Sequence, residues 1–256
     1  MATGEVGEPA QPAAKVAPKK LRPRDAATLI IVDRTGPEPR VLMGKRRMSQ
    51  VFMPGKYVFP GGRVDRTDRH VASADELSDA DTAKLLLEMK GTATVSRTRA
   101  LALAAIRETY EEAGLVIGQA MREQTAAKPV AGWAEFHAHG FAPRLSPLTF
   151  LARAITPPGR PRRYDTRFFC MDATAIAHRT ETNDGELSSL HWLTMADARD
   201  LDLPAITRVV LEDLTDRLRT NGLYAPAAKV PFYHHHNGSF RRDMLQLSAD
   251  AVMSEP

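Results

Sequence analysis

The sequence predicts an α/β fold, and three observations carry that reading. Strand-like and helix-like segments interleave along the chain instead of falling into separate blocks. With 43% hydrophobic residues in 256, the chain can bury one sizeable core, and it fits one domain with embellishments better than two. Its apolar residues come in short runs, well below the roughly 18 that a membrane span needs.

Residues 1–24 are rich in Ala, Pro, Lys and Glu without an apolar period, and a disordered tail is expected there. Ala26 to Val32 is strand-prone, Gly36-Pro37 makes a turn, and Val41-Leu42-Met43 opens a second strand, so these read as a hairpin. Tyr57-Val58-Phe59 is a third short strand that Pro60 ends, and Gly61-Gly62 lets the backbone approach a neighbour closely. Ser73 with Glu76 three residues on reads as a capping box, and Leu85, Leu86, Leu87 and Met89 before Gly91 complete a helical excursion. A second helix is expected from near Ser96 to Ala113, with Gly114 as its left-handed stop. Trp133 to Phe141 is a helical or irregular connection. Strands are expected over Leu148 to Ile155, Arg163 to Met171 and Leu187 to Leu193, and a helix over Ile206 to Leu218.

Composition excludes several classes. The single Cys170 rules out an internal disulfide framework, and its apolar surroundings read as buried filler. The amino terminus lacks the apolar core of a signal peptide, so a cytoplasmic location without a membrane partner is expected. A net charge of +4 comes from 35 basic and 31 acidic residues scattered together, which gives no case for a nucleic-acid partner. Two basic clusters, Lys45-Arg46-Arg47 and Arg160-Pro161-Arg162-Arg163, stand at or beside strand ends and could face phosphates.

The chemistry concentrates at Arg107-Glu108-Thr109-Tyr110-Glu111-Glu112-Ala113-Gly114-Leu115. Glu108, Glu111 and Glu112 lie three and four apart, so a helix projects all three from about one face. Like charges at these spacings repel by a few tenths of a kcal/mol per pair, so a cation is expected among them. Oxygen ligands without Cys or His favour Mg²⁺ or Mn²⁺, which usually share their remaining positions with substrate phosphates and water.

This segment, read with Phe59-Pro60-Gly61-Gly62, resembles the Nudix box of the Nudix hydrolases. The resemblance implies a Nudix α/β/α sandwich with a mixed sheet over residues 25–225, a C-terminal extension over 226–256, and hydrolysis of a phosphoanhydride. In the family the second glycine precedes the arginine by fourteen positions, whereas Gly62 and Arg107 are 45 apart. An insert of about thirty-one residues, at about 69–97, therefore splits the box. Asp68 falls at the position of the family's intermediate glutamate.

The resemblance implies roles residue by residue. Glu108, Glu111 and Glu112 match the metal-binding glutamates, and the Gly61 or Gly62 carbonyl is a further ligand. Arg107, four before Glu111, would hold and orient a glutamate, though a plain ion pair would use the same contact. The family draws its general base from the box or from a late loop. Arg107, Glu108 and the late-loop Glu186 are thus the candidate catalytic residues, and Arg46, Gly62 and Arg163 the candidate substrate contacts. His234, His235 and His236 are consecutive, so a regular strand or helix cannot turn all three onto one ion.

The stretch Phe52-Met53-Pro54-Gly55 ahead of Phe59-Pro60-Gly61-Gly62 looks like the long-insert coenzyme A diphosphatases, as do the split box and Arg163-Tyr164-Asp165-Thr166. Arg46, Gly55 and Phe59 keep the spacing of the coenzyme A signature, while Val51 stands where that signature has an arginine. The implied substrate is coenzyme A or acyl-coenzyme A, with the Leu85 to Met89 ridge shielding the acyl arm. ADP-ribose or another nucleotide, or a non-catalytic Nudix module that senses a nucleotide, are the alternatives. The expected partner is this small nucleotide diphosphate, with a homodimer left open.

Overall fold

Alternation of apolar residues on two faces organises the protein, whose structure here is a computed structural model. It describes residues 21–50, 53–121, 130–180, 186–220, 222–223 and 229–247. The chain runs through β1 (Arg24–Asp33), β2 (Arg40–Arg46), β3 (Tyr57–Val58) and β4 (Gly61–Arg63), then α1 (Asp79–Leu86) and α2 (Val95–Ala113). After these come β5 (Leu115–Val116), β6 (Gly118–Ala120), α3 (Ala134–Ala138), β7 (Phe141–Pro143), β8 (Thr149–Ile155), β9 (Tyr164–Asp172) and β10 (His178–Arg179). It closes with β11 (Leu187–Thr194), α4 (Met195–Asp200), α5 (Ala205–Thr220), β12 (Lys229–His236) and β13 (Ser239–Gln246).

The main sheet has the order β11-β2-β1-β9-β8-β12-β13, with β3 beside β2 and β4 beside β1. It is mixed, because β1 runs parallel to β9 and β12 parallel to β8 while the other pairs are antiparallel. Along β1, Ala27, Leu29 and Ile31 face α2, and Ile30 and Val32 face the side covered by Val210, Leu211 and Leu214 of α5. Helices therefore cover both faces, the α/β/α arrangement expected. No helix among the described residues is long and apolar enough to cross a membrane.

The box helix α2 is defined at both ends. Thr94 Oγ1 accepts from the Arg97 N–H at 3.2 Å, and Gly114 ends the helix at φ 64° with its N–H on the Tyr110 carbonyl. Six consecutive residues, Leu101 to Ile106, are fully buried. A helix apolar around its whole girth must be covered on two sides. The sheet covers one, and Val71, Leu77, Leu85 and Met89 of the inserted segment cover the other.

The insert departs from expectation in two respects. Ser73 and Glu76 do not cap a helix, because Arg99 binds Glu76 at 2.7 Å and Ser73 at 2.8 Å, and this tertiary contact takes both side chains. The cap is Ser78, whose Oγ accepts from the Asp81 N–H. Leu85 and Met89 are buried in the core against α2, so of the apolar side chains in the Leu85 to Met89 ridge only Leu86 and Leu87 are left partly open. Its carbonyls at Leu87 and Glu88 are tied to the buried Arg153 on β8.

Within the C-terminal extension, β12 and β13 are strands of the main sheet. β12 pairs with β8 through Phe232 and Tyr233, and β13 pairs with β12 from Lys229 to His236. His234 hydrogen-bonds Asp243 at 2.6 Å, with its ring stacked on Phe232. Cys170 is fully buried in β9, and burial pushes its thiol up to about 12, as suits a packing residue. Residues 1–20, most of the expected tail, lie outside the described residues, and Arg24 already belongs to β1.

Candidate active site

Two elements meet to form the site. β4 pairs with β1 so that Gly61 lies opposite Thr28 and Gly62 opposite Ala27, which sets the glycine turn beside the C-terminal half of α2. Gly61 is fixed by backbone contact, and Gly62 by the present position of Glu108. A Cβ at Gly61 would run into the Ala27 carbonyl and the Thr28 backbone, and one at Gly62 would overlap the Glu108 carboxyl group. The Gly61 N–H donates to Glu112 at 2.9 Å. The structure thus joins the two halves of the split box.

Arg107 is the hub. Only 4% exposed, it donates from Nε and Nη2 to Asp68 at 3.0 and 3.3 Å, from Nη1 to Glu108 and Glu111 at 3.0 Å each, and from Nη2 to the Arg63 carbonyl at 3.0 Å. One planar fork therefore orients two glutamates and an aspartate. Burial works against the cation, yet Asp68, Glu108 and Glu111 outweigh it and hold the guanidinium protonated well above its ordinary range. Asp68 is completely buried and also accepts from Trp133 Nε1 at 3.0 Å and from the Asp65 N–H at 2.8 Å.

The glutamates have too little positive charge around them. Burial pushes Glu112 up to about 8, only partly offset by the Gly61 N–H, while the charge of Glu108 raises it further. Burial pushes Glu108 up to about 7, with Arg107 opposing and Glu111 adding to the shift. Burial also raises the more open Glu111. Each glutamate has one oxygen engaged, by Arg107 or by the Gly61 N–H, and its other oxygen has no hydrogen bond to the described residues. Among those residues no three His, Cys, Asp or Glu side chains are placed to hold a metal ion as they stand. The donor set is nonetheless what a hard cation takes: oxygens alone, with excess negative charge.

These shifts have a consequence for stability. In the unfolded chain a glutamate titrates near 4.5, and in the fold Glu108 and Glu112 hold their protons to about 7 and 8. Between those limits the folded state binds protons that the unfolded state has lost, so these two groups make stability fall as pH rises from about 4.5 to 8. Thermal melting in chelator should show this decline between pH 5.5 and 8.5, with a weaker one in the Glu112→Gln variant. Identical slopes for both proteins would contradict the placement of Glu112.

Arg46 and Glu186 stand together at the mouth of the site. Arg46 Nη2 donates to Glu186 at 2.7 Å, and the Arg47 N–H reaches the Glu186 carbonyl. Both charges are felt by Glu112, and that of Glu186 also by Glu108. The Arg46 Nε is buried without a partner among the described residues. Arg163 does not join this group. Its guanidinium is given to the Thr156 and Leu21 carbonyls beside Arg24, four residues along β1 from the strand partner of Gly61, or about 13 Å at 3.3 Å per residue. Val51, Phe52 and residues 181–185 lie outside the described residues.

Sequence reasoning left without a role two side chains that the structure brings to Arg107, Asp68 directly and Trp133 through Asp68. Asp68 had its spacing from Gly62 as a signal, and its partner across the insert is now evident. Trp133 had none, because its contact with Asp68 spans 65 positions.

No family model matches the chain. A Caenorhabditis elegans protein named as nudix hydrolase 7 is 30% identical over 189 residues, covering 69% of this chain and 53% of that protein. The chain thus spans about half the length of this curated relative. Among solved structures, a NUDIX hydrolase from Alicyclobacillus acidocaldarius superposes with a TM-score of 0.54 at 25% identity, over 80% of this chain and 93% of that one. The fold is that of the Nudix hydrolases, and both neighbours support this family for the chain.

Proposed function

We propose that this chain, with its Nudix fold and its glutamate-lined helix, is a Mg²⁺- or Mn²⁺-dependent hydrolase of nucleoside diphosphates linked to a second moiety. The observation that carries the reading is that Glu108 and Glu111 share a single buried guanidinium while Glu112 has only the Gly61 N–H, which leaves carboxylate oxygens free for a cation. These three glutamates, with the Gly61 carbonyl, would hold the metal. When bound, it would neutralise charge on the diphosphate and favour attack by water.

The remaining work falls to the protein. Arg107 keeps Glu108 and Glu111 aimed at one place, and Gly62 leaves the room that Glu108 needs. Arg46 meets phosphate oxygens at the mouth. Glu186, whose side chain is 54% exposed, takes the proton of the attacking water as the P–O bond of the anhydride breaks.

Coenzyme A or its acyl form is the proposed substrate, cleaved to adenosine 3′,5′-bisphosphate and (acyl-)phosphopantetheine. Support comes from the signature spacing of Arg46, Gly55 and Phe59 together with the charge of Arg46 acting on Glu112. Chromatography of products from coenzyme A, acyl-coenzyme A, ADP-ribose, NADH and dinucleoside polyphosphates, each with Mg²⁺, tests it. Coenzyme A or an acyl form is expected to have the highest kcat/KM. Equal or better turnover of ADP-ribose would remove the coenzyme A assignment and leave the hydrolase.

A further inference from the structure

We infer that Trp133, which lies outside both the glutamate helix and the glycine turn, is a positioning residue of the carboxylate site and acts through Asp68 on Arg107. The inference rests on the metal-dependent reading above. Its basis is a continuous line of contacts: the Trp133 indole N–H to Asp68 Oδ1 at 3.0 Å, the same oxygen to Arg107 Nε at 3.0 Å, and Arg107 Nη1 to Glu108 and Glu111 at 3.0 Å. Every step is buried up to the glutamates, with Trp133 and Asp68 at 0% exposure.

The split box explains why this chain needs such a contact. Asp68 is on the glycine side of the insert and Arg107 on the far side, so a short connection does not hold the two halves in register. Side chains must do it. A fully buried carboxylate is stable only when its lone pairs are met, and four donors meet those of Asp68: the indole, two guanidinium nitrogens and the Asp65 N–H. Without the indole, Oδ1 keeps a single partner, so the carboxylate can pivot and the Arg107 fork pivots with it. Trp133 is itself fixed by edge contact with Phe136 at 5.2 Å, and Phe136 in turn meets Tyr110 of α2 at 5.5 Å. Gly132, at φ 82°, carries the chain across Arg107, where a Cβ would lie 3.5 Å from Cδ.

The test is Mn²⁺ binding to the full chain, measured by calorimetry and by the loss of the free-ion paramagnetic resonance signal. Trp133→Phe keeps a ring and removes the N–H. It is expected to weaken Mn²⁺ binding about tenfold, the lower end for outer contacts of a metal site, and to raise the Mg²⁺ concentration needed for half-maximal turnover while substrate KM at saturating metal stays unchanged. Leu211→Ala opens the core on the opposite face of the sheet, in a cluster that contains neither Trp133 nor Asp68, and should lower Tm while leaving Mn²⁺ affinity within about twofold, the scatter of an uncoupled site. If Trp133→Phe does not fold, β-(3-benzothienyl)alanine at position 133 keeps the two-ring shape with sulfur in place of the N–H and is expected to give the same loss. Wild-type affinity in the variant without the N–H, or an equal loss in Leu211→Ala, would overturn the positioning role while leaving the hydrolase. A wild-type protein that binds no Mn²⁺ would overturn both.

Discussion

Glu112→Gln is expected to lower kcat by about 10²–10³-fold, the loss seen when one fixed charge or dipole is removed from a polar transition state. The same variant should melt no lower than wild type in chelator at pH 9. Glu112 is 4% exposed, and burial holds its acid form up to about 8, so above that pH the fold carries a desolvated charge that glutamine does not have. The amide oxygen can still accept from the Gly61 N–H. Function and stability should therefore move in opposite directions at this one residue. Turnover at the wild-type rate, or a large drop in Tm, would show that Glu112 is a packing residue instead.

Arg107→Leu is expected to give the largest loss of stability. It strands Asp68 as a buried carboxylate with only the indole and one backbone N–H, and it leaves Glu108 and Glu111 facing each other without their shared cation. Removing one partner of a buried pair costs about 3–5 kcal/mol, which for a chain of this size lowers Tm by about 6–20 °C. Arg107→Lys should recover little, because a single ammonium cannot replace a fork that reaches Asp68, two glutamates and the Arg63 carbonyl. Unfolding in urea at pH 7 measures the effect. A change below about 1 kcal/mol, the level of an exposed pair, would contradict the buried hub.

What could be read in the chain beforehand was whatever is local. The span of α2 was legible because an apolar and small-residue stretch ends at a glycine that suits a left-handed stop, and the three glutamates follow from its period. The hairpin of β1 and β2 carries its turn at Gly36-Pro37. The strands β12 and β13 were not legible, because Pro231 and three histidines blur the alternation, and it is pairing with β8 that makes the segment a strand. Ser73 and Glu76 carry a correct capping pattern, but the guanidinium of Arg99, folded back from α2, takes both. The basic cluster that ends at Arg163 stands on a strand end as expected, yet backbone carbonyls hold that guanidinium away from the glutamates. Of the site itself, spacing and resemblance named Gly61, Gly62, Glu108, Glu111 and Glu112 together, and the structure sets them side by side; Arg46 and Glu186 were named separately, and their contact was not legible because it spans 140 positions. Trp133 could not be found that way, since only the fold brings it to Asp68.

The central claim is that this glutamate site cleaves a diphosphate with a metal's help. Phosphorus NMR of coenzyme A incubated with the protein and Mg²⁺ tests it most directly. The two diphosphate resonances should give way to phosphomonoester signals of adenosine 3′,5′-bisphosphate and phosphopantetheine, with excess chelator stopping the change and Glu112→Gln slowing it at least a hundredfold, the lower bound given above. Diphosphate signals that persist with Mg²⁺ and with Mn²⁺, for coenzyme A and for ADP-ribose alike, would contradict it.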